Sequence, residues 1–134
     1  MKSKRIDLTI STEKMQESKN FYMEHFDFKI TYESDWYIEL LSPSLNVGIS
    51  FTLPQREEGE FFNGRGLILS LEVDDVEYEY NRVKDEGLVI YQEVQEKPWG
   101  EKSFVINDPN GVHVYIYEAI EPTPEYKQVY DSYK

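Results

Sequence analysis

Pro98-Trp99-Gly100, running through Asp108-Pro109-Asn110-Gly111 into Val112-His113-Val114-Tyr115-Ile116-Tyr117-Glu118, decides the fold of this chain because an earlier stretch repeats its plan. The echo is Leu41-Ser42-Pro43-Ser44 followed by Val47-Gly48-Ile49-Ser50-Phe51-Thr52. Each copy follows an amphipathic helix pattern, and before that an alternating strand, so one strand-helix-strands plan is used twice. Duplication of that kind builds a shared cup.

Outward from the repeat, Arg5-Ile6-Asp7-Leu8-Thr9-Ile10 alternates with period two: Ile6, Leu8 and Ile10 share one face, Arg5, Asp7 and Thr9 the other. Met15, Ser18, Phe21, Tyr22 and Phe26 then fall at helical spacing, with Ser11 and Thr12 as N-cap candidates and an end near His25. Three strands are expected next, at 28–32, 36–41 and 47–52, parted by short spacers that favour antiparallel neighbours. Residues 53–65 carry Pro54, the charged run Arg56-Glu57-Glu58-Gly59-Glu60, two phenylalanines and Gly64, the composition of a surface linker.

The second copy opens with Leu67, Leu69, Leu71 and Val73 on one strand face and Ile68, Ser70 and Glu72 on the other. Helix two follows at once, with Asp74 as cap, Glu77 as its capping-box partner, a Val76, Tyr80, Val83 stripe, and Gly87 as a left-handed stop. Strands are expected at 88–92, 102–107 and 112–118. The tail, 119–134, is polar with two prolines, and the pattern leaves open a short helix or a loosely held end. The organisation is therefore a single domain over 1–134: module one at 5–52, linker at 53–65, module two at 66–118, tail at 119–134.

Composition sets outer bounds. A chain of 134 residues is long enough to bury more than half of the surface that its unfolded form exposes. With no cysteine it has neither disulfides nor thiolate metal ligands nor a cysteine nucleophile. No apolar run follows Met1-Lys2-Ser3-Lys4-Arg5, so a cytoplasmic protein without a signal peptide or membrane span is expected. A formal net charge of -12 argues against nucleic acid and anionic membranes as partners and suits either solubility alone or an electrostatic preference for cations.

The two faces of the expected strands differ in kind. Ile6, Leu8, Ile10, Val47, Ile49, Leu67, Leu69, Leu71, Val112, Val114 and Ile116 belong under the helices. The opposite face gathers Asp7, Tyr37, Glu39, Ser50, Ile68, Glu72, His113, Tyr115 and Tyr117, with Arg5 sharing the face of Asp7. Aromatics interleaved with carboxylates and hydroxyls suit a pocket for a small molecule, and Trp99 is placed either to stack on a ligand or to plug a sheet edge. An Arg5–Asp7 ion pair, if made, lowers the net charge of that face.

Several segments together resemble the vicinal oxygen chelate superfamily, the glyoxalase, bleomycin-resistance and extradiol-dioxygenase group. Ser18-Lys19-Asn20-Phe21-Tyr22 with Phe26-Asp27-Phe28 is similar to the family's Ser-x-x-Phe-Tyr helix and the turn after it. Leu71-Glu72-Val73-Asp74-Asp75-Val76 resembles its strand-to-helix junction, and Pro98-Trp99-Gly100 with Asp108-Pro109-Asn110-Gly111 its closing hairpin. The resemblance spans roughly Ile6 to Glu118. It implies an α+β fold of two tandem βαβββ modules forming a curved mixed sheet around a cleft, in a homodimer.

It also implies where a metal would sit in metal-using members, at positions that carry Asp7, Ser50, Ile68 and Tyr115 here. Those residues make a poor donor set, as Asp7 alone is an ordinary ligand, so no metal and no cofactor is expected. No Gly-rich phosphate loop, His-Glu-x-x-His pair or nucleophile elbow is present. Two small-molecule functions follow. One is metal-independent binding of a small aromatic or cationic molecule, as in antibiotic sequestration; the ligand-binding candidates are Asp7, Tyr37, Glu39, Ser50, Ile68, Glu72, Trp99, His113, Tyr115 and Tyr117. The other is a glyoxalase-like lyase, isomerase or dioxygenase, with or without metal, in which a carboxylate serves as base and Tyr115 or His113 as acid. Tail tyrosines Tyr126, Tyr130 and Tyr133 suit a third, a protein partner.

Overall fold

The computed structural model describes residues 1–42, 44, 46–54 and 60–134. Pro43 and Leu45 of the expected spacer, and Arg56 to Gly59 of the expected linker, lie outside the described residues. The chain divides into two compact units, Met1–Arg65 with Asp108–Gly111, and Gly66–Asn107 with Val112–Lys134.

Unit one runs β1 (Ile6–Ser11), α1 (Met15–Phe26), β2 (Lys29–Glu33), β3 (Tyr37–Ser42) and β4 (Val47–Thr52). Its sheet has the order β1-β4-β3-β2, with β1 parallel to β4 and the other neighbours antiparallel. Unit two repeats the plan with β5 (Ile68–Glu72), α2 (Val76–Asp85), β6 (Ile90–Lys97), β7 (Glu101–Asn107) and β8 (His113–Ala119), and adds α3 (Pro124–Asp131). The order β5-β8-β7-β6, with β5 parallel to β8, matches unit one strand for strand. This is the α+β, tandem βαβββ fold. Among the described residues no helix is long and apolar enough to cross a membrane.

α1 and α2 bury most of the stripe that each sequence marks. Met15, Ser18, Phe21 and Tyr22 of α1 are buried, and α1 packs on β3 and β4. There Ile38, Leu40, Ile49 and Phe51 complete the core, with the Tyr22 and Phe51 rings stacked at 5.9 Å. In unit two Val76 and Val83 are fully buried with Phe104, Ile106, Val114 and Ile116, and Tyr80 meets Phe104 edge-on at 5.4 Å. Each such side chain contributes about 1.5–3 kcal/mol of transfer free energy. One residue departs from expectation: Ile6 is 70 % exposed. It opens edge strand β1 while α1 lies over the inner strands, so the apolar cover reaches Ile10 and not the strand's start.

The caps also differ by a residue or two. α2 is capped by Asp75, which accepts from the Tyr78 N–H at 3.1 Å, rather than by Asp74; Glu77 is drawn instead to Lys102 at 3.0 Å. Glu118 accepts from the Val76 N–H at 3.1 Å, satisfying a second donor of the first turn. α1 starts after Lys14, which makes no side-chain cap; Thr12 Oγ1 accepts the Lys14 N–H at 2.9 Å from outside the helix. Asp27, with φ 59°, closes α1, and Gly87, with φ 87°, follows α2.

The turn Asp108–Gly111 belongs to unit one, where α1 holds it. Tyr22 Oη donates to Asp108 Oδ2 at 2.8 Å, Asn110 Nδ2 donates to Ser18 Oγ at 2.8 Å, and Lys14 Nζ donates to the Pro109 carbonyl at 3.2 Å. The Asn110 N–H closes the turn on Asp108 Oδ1 at 2.8 Å. Burial, then the charge and hydrogen bond of Asp108, push the Tyr22 phenol far above its ordinary value.

Candidate functional site

The expected ligand residues divide between the two units, each set on the sheet face opposite its helix. In unit one the register Thr9↔Ser50↔Glu39 and Asp7↔Gly48, with Tyr37 opposite Thr52, puts Asp7, Tyr37, Glu39 and Ser50 on one face. Arg5 occupies it too. Its Nε donates to Asp7 Oδ1 at 2.7 Å; Nη2 lies equally close to that oxygen but makes no directed hydrogen bond, and stands 3.8 Å from Glu39. Gly48 makes room for the pair, since a Cβ there would fall 1.8 Å from Asp7 Oδ1 and 2.6 Å from Arg5 Nη2. Glu39 also accepts from Thr31 Oγ1 at 2.8 Å. The two carboxylates are thus offset by one guanidinium. Ser50 Oγ is buried and has no hydrogen-bond partner.

Unit two carries the denser chemistry. On β8 His113, Tyr115 and Tyr117 face the same way, opposite Ile68, Ser70 and Glu72 of β5 on one side and Asn107, Val105 and Ser103 of β7 on the other. Ser103 Oγ donates to Tyr115 Oη at 2.9 Å, and the Tyr115 and Tyr117 rings are 6.0 Å apart. Burial pushes the Tyr115 phenol above its ordinary value, and Glu101 as acceptor adds to this; donation from Ser103 and from the Trp99 indole opposes it. Tyr117 is raised by burial and then by Glu72 and Glu101. Both phenols therefore stay neutral near pH 7 and can donate or accept, beside two carboxylates that can only accept.

His113 stacks on Tyr91 at 4.6 Å and places Nδ1 2.6 Å from Asn107 Oδ1. The partner at Nδ1 is an amide oxygen, so the proton belongs there and Nε2 keeps its lone pair. Trp99, in the turn between β6 and β7, is about one-third exposed, with Lys97 Nζ 5.8 Å over its ring and Tyr126 at 6.2 Å. Four residues of this face escaped the sequence reading: Tyr91, Glu101, Ser103 and Asn107. The odd-numbered alternation of β7 holds the signal for Glu101, Ser103 and Asn107, since antiparallel pairing with β8 turns those side chains toward Tyr115.

The superfamily's metal positions fit a divalent ion poorly. Asp7 is engaged by Arg5, Ser50 is a neutral hydroxyl, Ile68 has no donor atom, and the Tyr115 phenol is held in its protonated form. Among the described residues no group of three or more His, Asp or Glu side chains is placed to hold a metal.

Comparison with known proteins gives a consistent result. A family model described as the glyoxalase/bleomycin resistance protein/dioxygenase superfamily matches residues 5–116. No curated protein matches. Among solved structures, a superfamily member from Sphaerobacter thermophilus aligns with TM-score 0.71 at 18% identity, covering 87% of this chain and 98% of its own. TnmS3, an antibiotic binding protein from Streptomyces sp. CB03234, aligns with TM-score 0.70 at 17% identity, covering 88% and 97%. Lactoylglutathione lyase from Agrobacterium tumefaciens aligns with TM-score 0.69 at 16% identity, covering 87% and 94%. At such identities the likeness is one of fold.

Proposed function

Because the chain belongs to the glyoxalase/bleomycin resistance protein/dioxygenase superfamily, we propose a function that this fold is able to host: metal-independent binding of a small aromatic or cationic molecule. The observation that carries this reading is the cluster on unit two, where Tyr115, Tyr117 and Trp99 offer flat surfaces beside Glu72 and Glu101. Ring faces and carboxylates together attract planar cations by cation-π contact and charge, and neutral phenols add hydrogen bonds that orient the ligand. On unit one Arg5 offsets much of the local negative charge, so Asp7, Tyr37, Glu39 and Ser50 serve as polar contacts more than as a cation trap. That an antibiotic-binding protein, TnmS3, shares the fold supports small-molecule binding.

Calorimetry tests it, with a panel of planar cationic and neutral aromatic compounds titrated into protein stripped by a chelator. Saturable binding that weakens in Glu72→Gln and Tyr117→Ala is the expected result. Silence across the panel, or binding indifferent to both substitutions, overturns the assignment. The same reading takes the chain to be a homodimer, since Ile6 (70 % exposed) and Val89 (84 %) suit burial by a second copy; light scattering at the mass of one chain contradicts the dimer.

One observation favours a second reading. Asn107 orients His113 so that Nε2 is a base, near a row of protonated tyrosines, which is the equipment of a metal-free lyase or isomerase. Turnover of an α-hydroxythioester or hemithioacetal that is abolished by His113→Gln with binding intact would select this reading over sequestration.

A further inference from the structure

α3 buries none of its residues, so the core of unit two gives no reason for its presence. Eight residues are also too few to hold a helix by themselves, since a helix shorter than about 12–15 residues is marginal in water. Its contacts explain it. Tyr130 Oη donates to the Trp99 carbonyl at 2.7 Å, and the Tyr126 ring meets the Trp99 indole at 6.2 Å and 63°. The connection from β8 is stitched to the same turn: the Ile120 N–H donates to the Gly100 carbonyl at 2.9 Å and the Thr123 N–H to the Pro98 carbonyl at 2.9 Å. Gly100, with φ 104°, permits this approach, because a Cβ there would stand 3.0 Å from the Ile120 carbonyl and 3.3 Å from Pro122. The Trp99 indole is in turn among the groups that act on the Tyr115 phenol.

We propose that α3 is a strap that positions Trp99, so that the polar aromatic face of unit two is complete only while the strap is docked. Contacts that are few and exposed give such a segment a low opening free energy, so docked and released states exchange within the native fold. Any ligand that touches Trp99 then favours the docked state, and docking raises affinity by the same factor. Trp99, Tyr126 and Tyr130 are positioning residues in this scheme. The part of the proposal that concerns affinity rests on the binding function proposed above; the positioning of Trp99 does not.

The experiment separates the two. In a Trp36→Phe background, where Trp99 is the sole tryptophan, emission and acrylamide quenching are compared for the full chain, Tyr130→Phe, and a chain ending at Pro122. Circular dichroism and thermal melting check that each folds; Tyr130→Phe removes one hydroxyl and keeps the ring. The expected result is a red shift and severalfold faster quenching in the truncated chain, with Tyr130→Phe between. Trp99 emission indifferent to both changes overturns the strap. With a ligand from the panel, truncation weakens binding about tenfold, within the usual range of coupling between sites. Unchanged affinity alongside a shifted Trp99 overturns the coupling. Absence of any ligand for the full chain removes the proposed function and leaves the strap to be judged by emission alone.

Discussion

Replacing Tyr22 by Phe removes one hydroxyl from the centre of unit one and leaves every ring contact in place. The Tyr22 ring packs against Phe21 at 5.0 Å, Phe28 at 5.8 Å, and Phe26 and Phe51 each at 5.9 Å, and Phe preserves all four. What is lost is the 2.8 Å bond to Asp108 Oδ2, made where Tyr22 is fully buried and Asp108 is 5 % exposed. A hydrogen bond to a charged group is worth about 1.5–3 kcal/mol. Asp108 keeps the Asn110 N–H, so the carboxylate is weakened in its setting and not orphaned. An unfolding entropy of about 2.1 cal/mol/K per residue gives about 280 cal/mol/K for this chain, so the loss lowers Tm by about 5–10 °C. Urea unfolding followed by far-UV circular dichroism is the assay, with a lower midpoint at unchanged m as the expected signature. A cycle with Asp108→Asn isolates the pair, whose coupling is expected at about 1 kcal/mol or more. A loss below about 0.5 kcal/mol refutes the view that this bond fastens the Asp108–Gly111 turn to α1.

Two further predictions concern the open faces. Gly48→Ala forces Asp7 and Arg5 apart, yet both are flexible and their side chains are 41 % and 29 % exposed, so stability falls by less than about 1 kcal/mol. A larger loss, read by thermal melting at low and high salt, would mean that the backbone and not the ion pair yields. Tyr22, Tyr115 and Tyr117 all hold their protons more tightly folded than unfolded, so their contribution is intact below the ordinary tyrosine value near about 10 and is lost as pH rises above it. Absorbance at 295 nm through an alkaline titration should show late phenols released with unfolding, and one fewer in Tyr115→Phe. Phenols that all titrate near the ordinary value contradict the burial described for these three.

Local periodicity carried the fold a long way. The α1 stripe from Met15 to Tyr22 and the alternation of β1 are local signals, and the structure places them as expected apart from Ile6. β6 extends to Lys97, well past the expected Gln92, because Glu93 to Lys97 is a polar edge-strand segment whose register slips between Ile90 and Gln95. Such a segment carries neither the apolar alternation nor the turn residues by which strands are recognised. The Asp-Pro-Asn-Gly turn was legible as a turn, but the partner of Asp108 is 86 residues away, and no periodicity reports that. The same holds for the site. β8 announced His113, Tyr115 and Tyr117, whereas Ser103 and Glu101 become visible only once β7 is set beside it. The possible Arg5–Asp7 pair was visible as two charges on one strand face, and the structure adds the bare Gly48 that admits it.

The central claim, that the tyrosine face of unit two binds a small planar molecule without a metal, is tested most directly by Trp99 emission. In chelator-treated Trp36→Phe protein, titration with the aromatic and cationic panel should give a saturable change for at least one compound, reduced in Glu72→Gln and Tyr117→Ala. A response that appears only after a divalent metal is added would contradict the account.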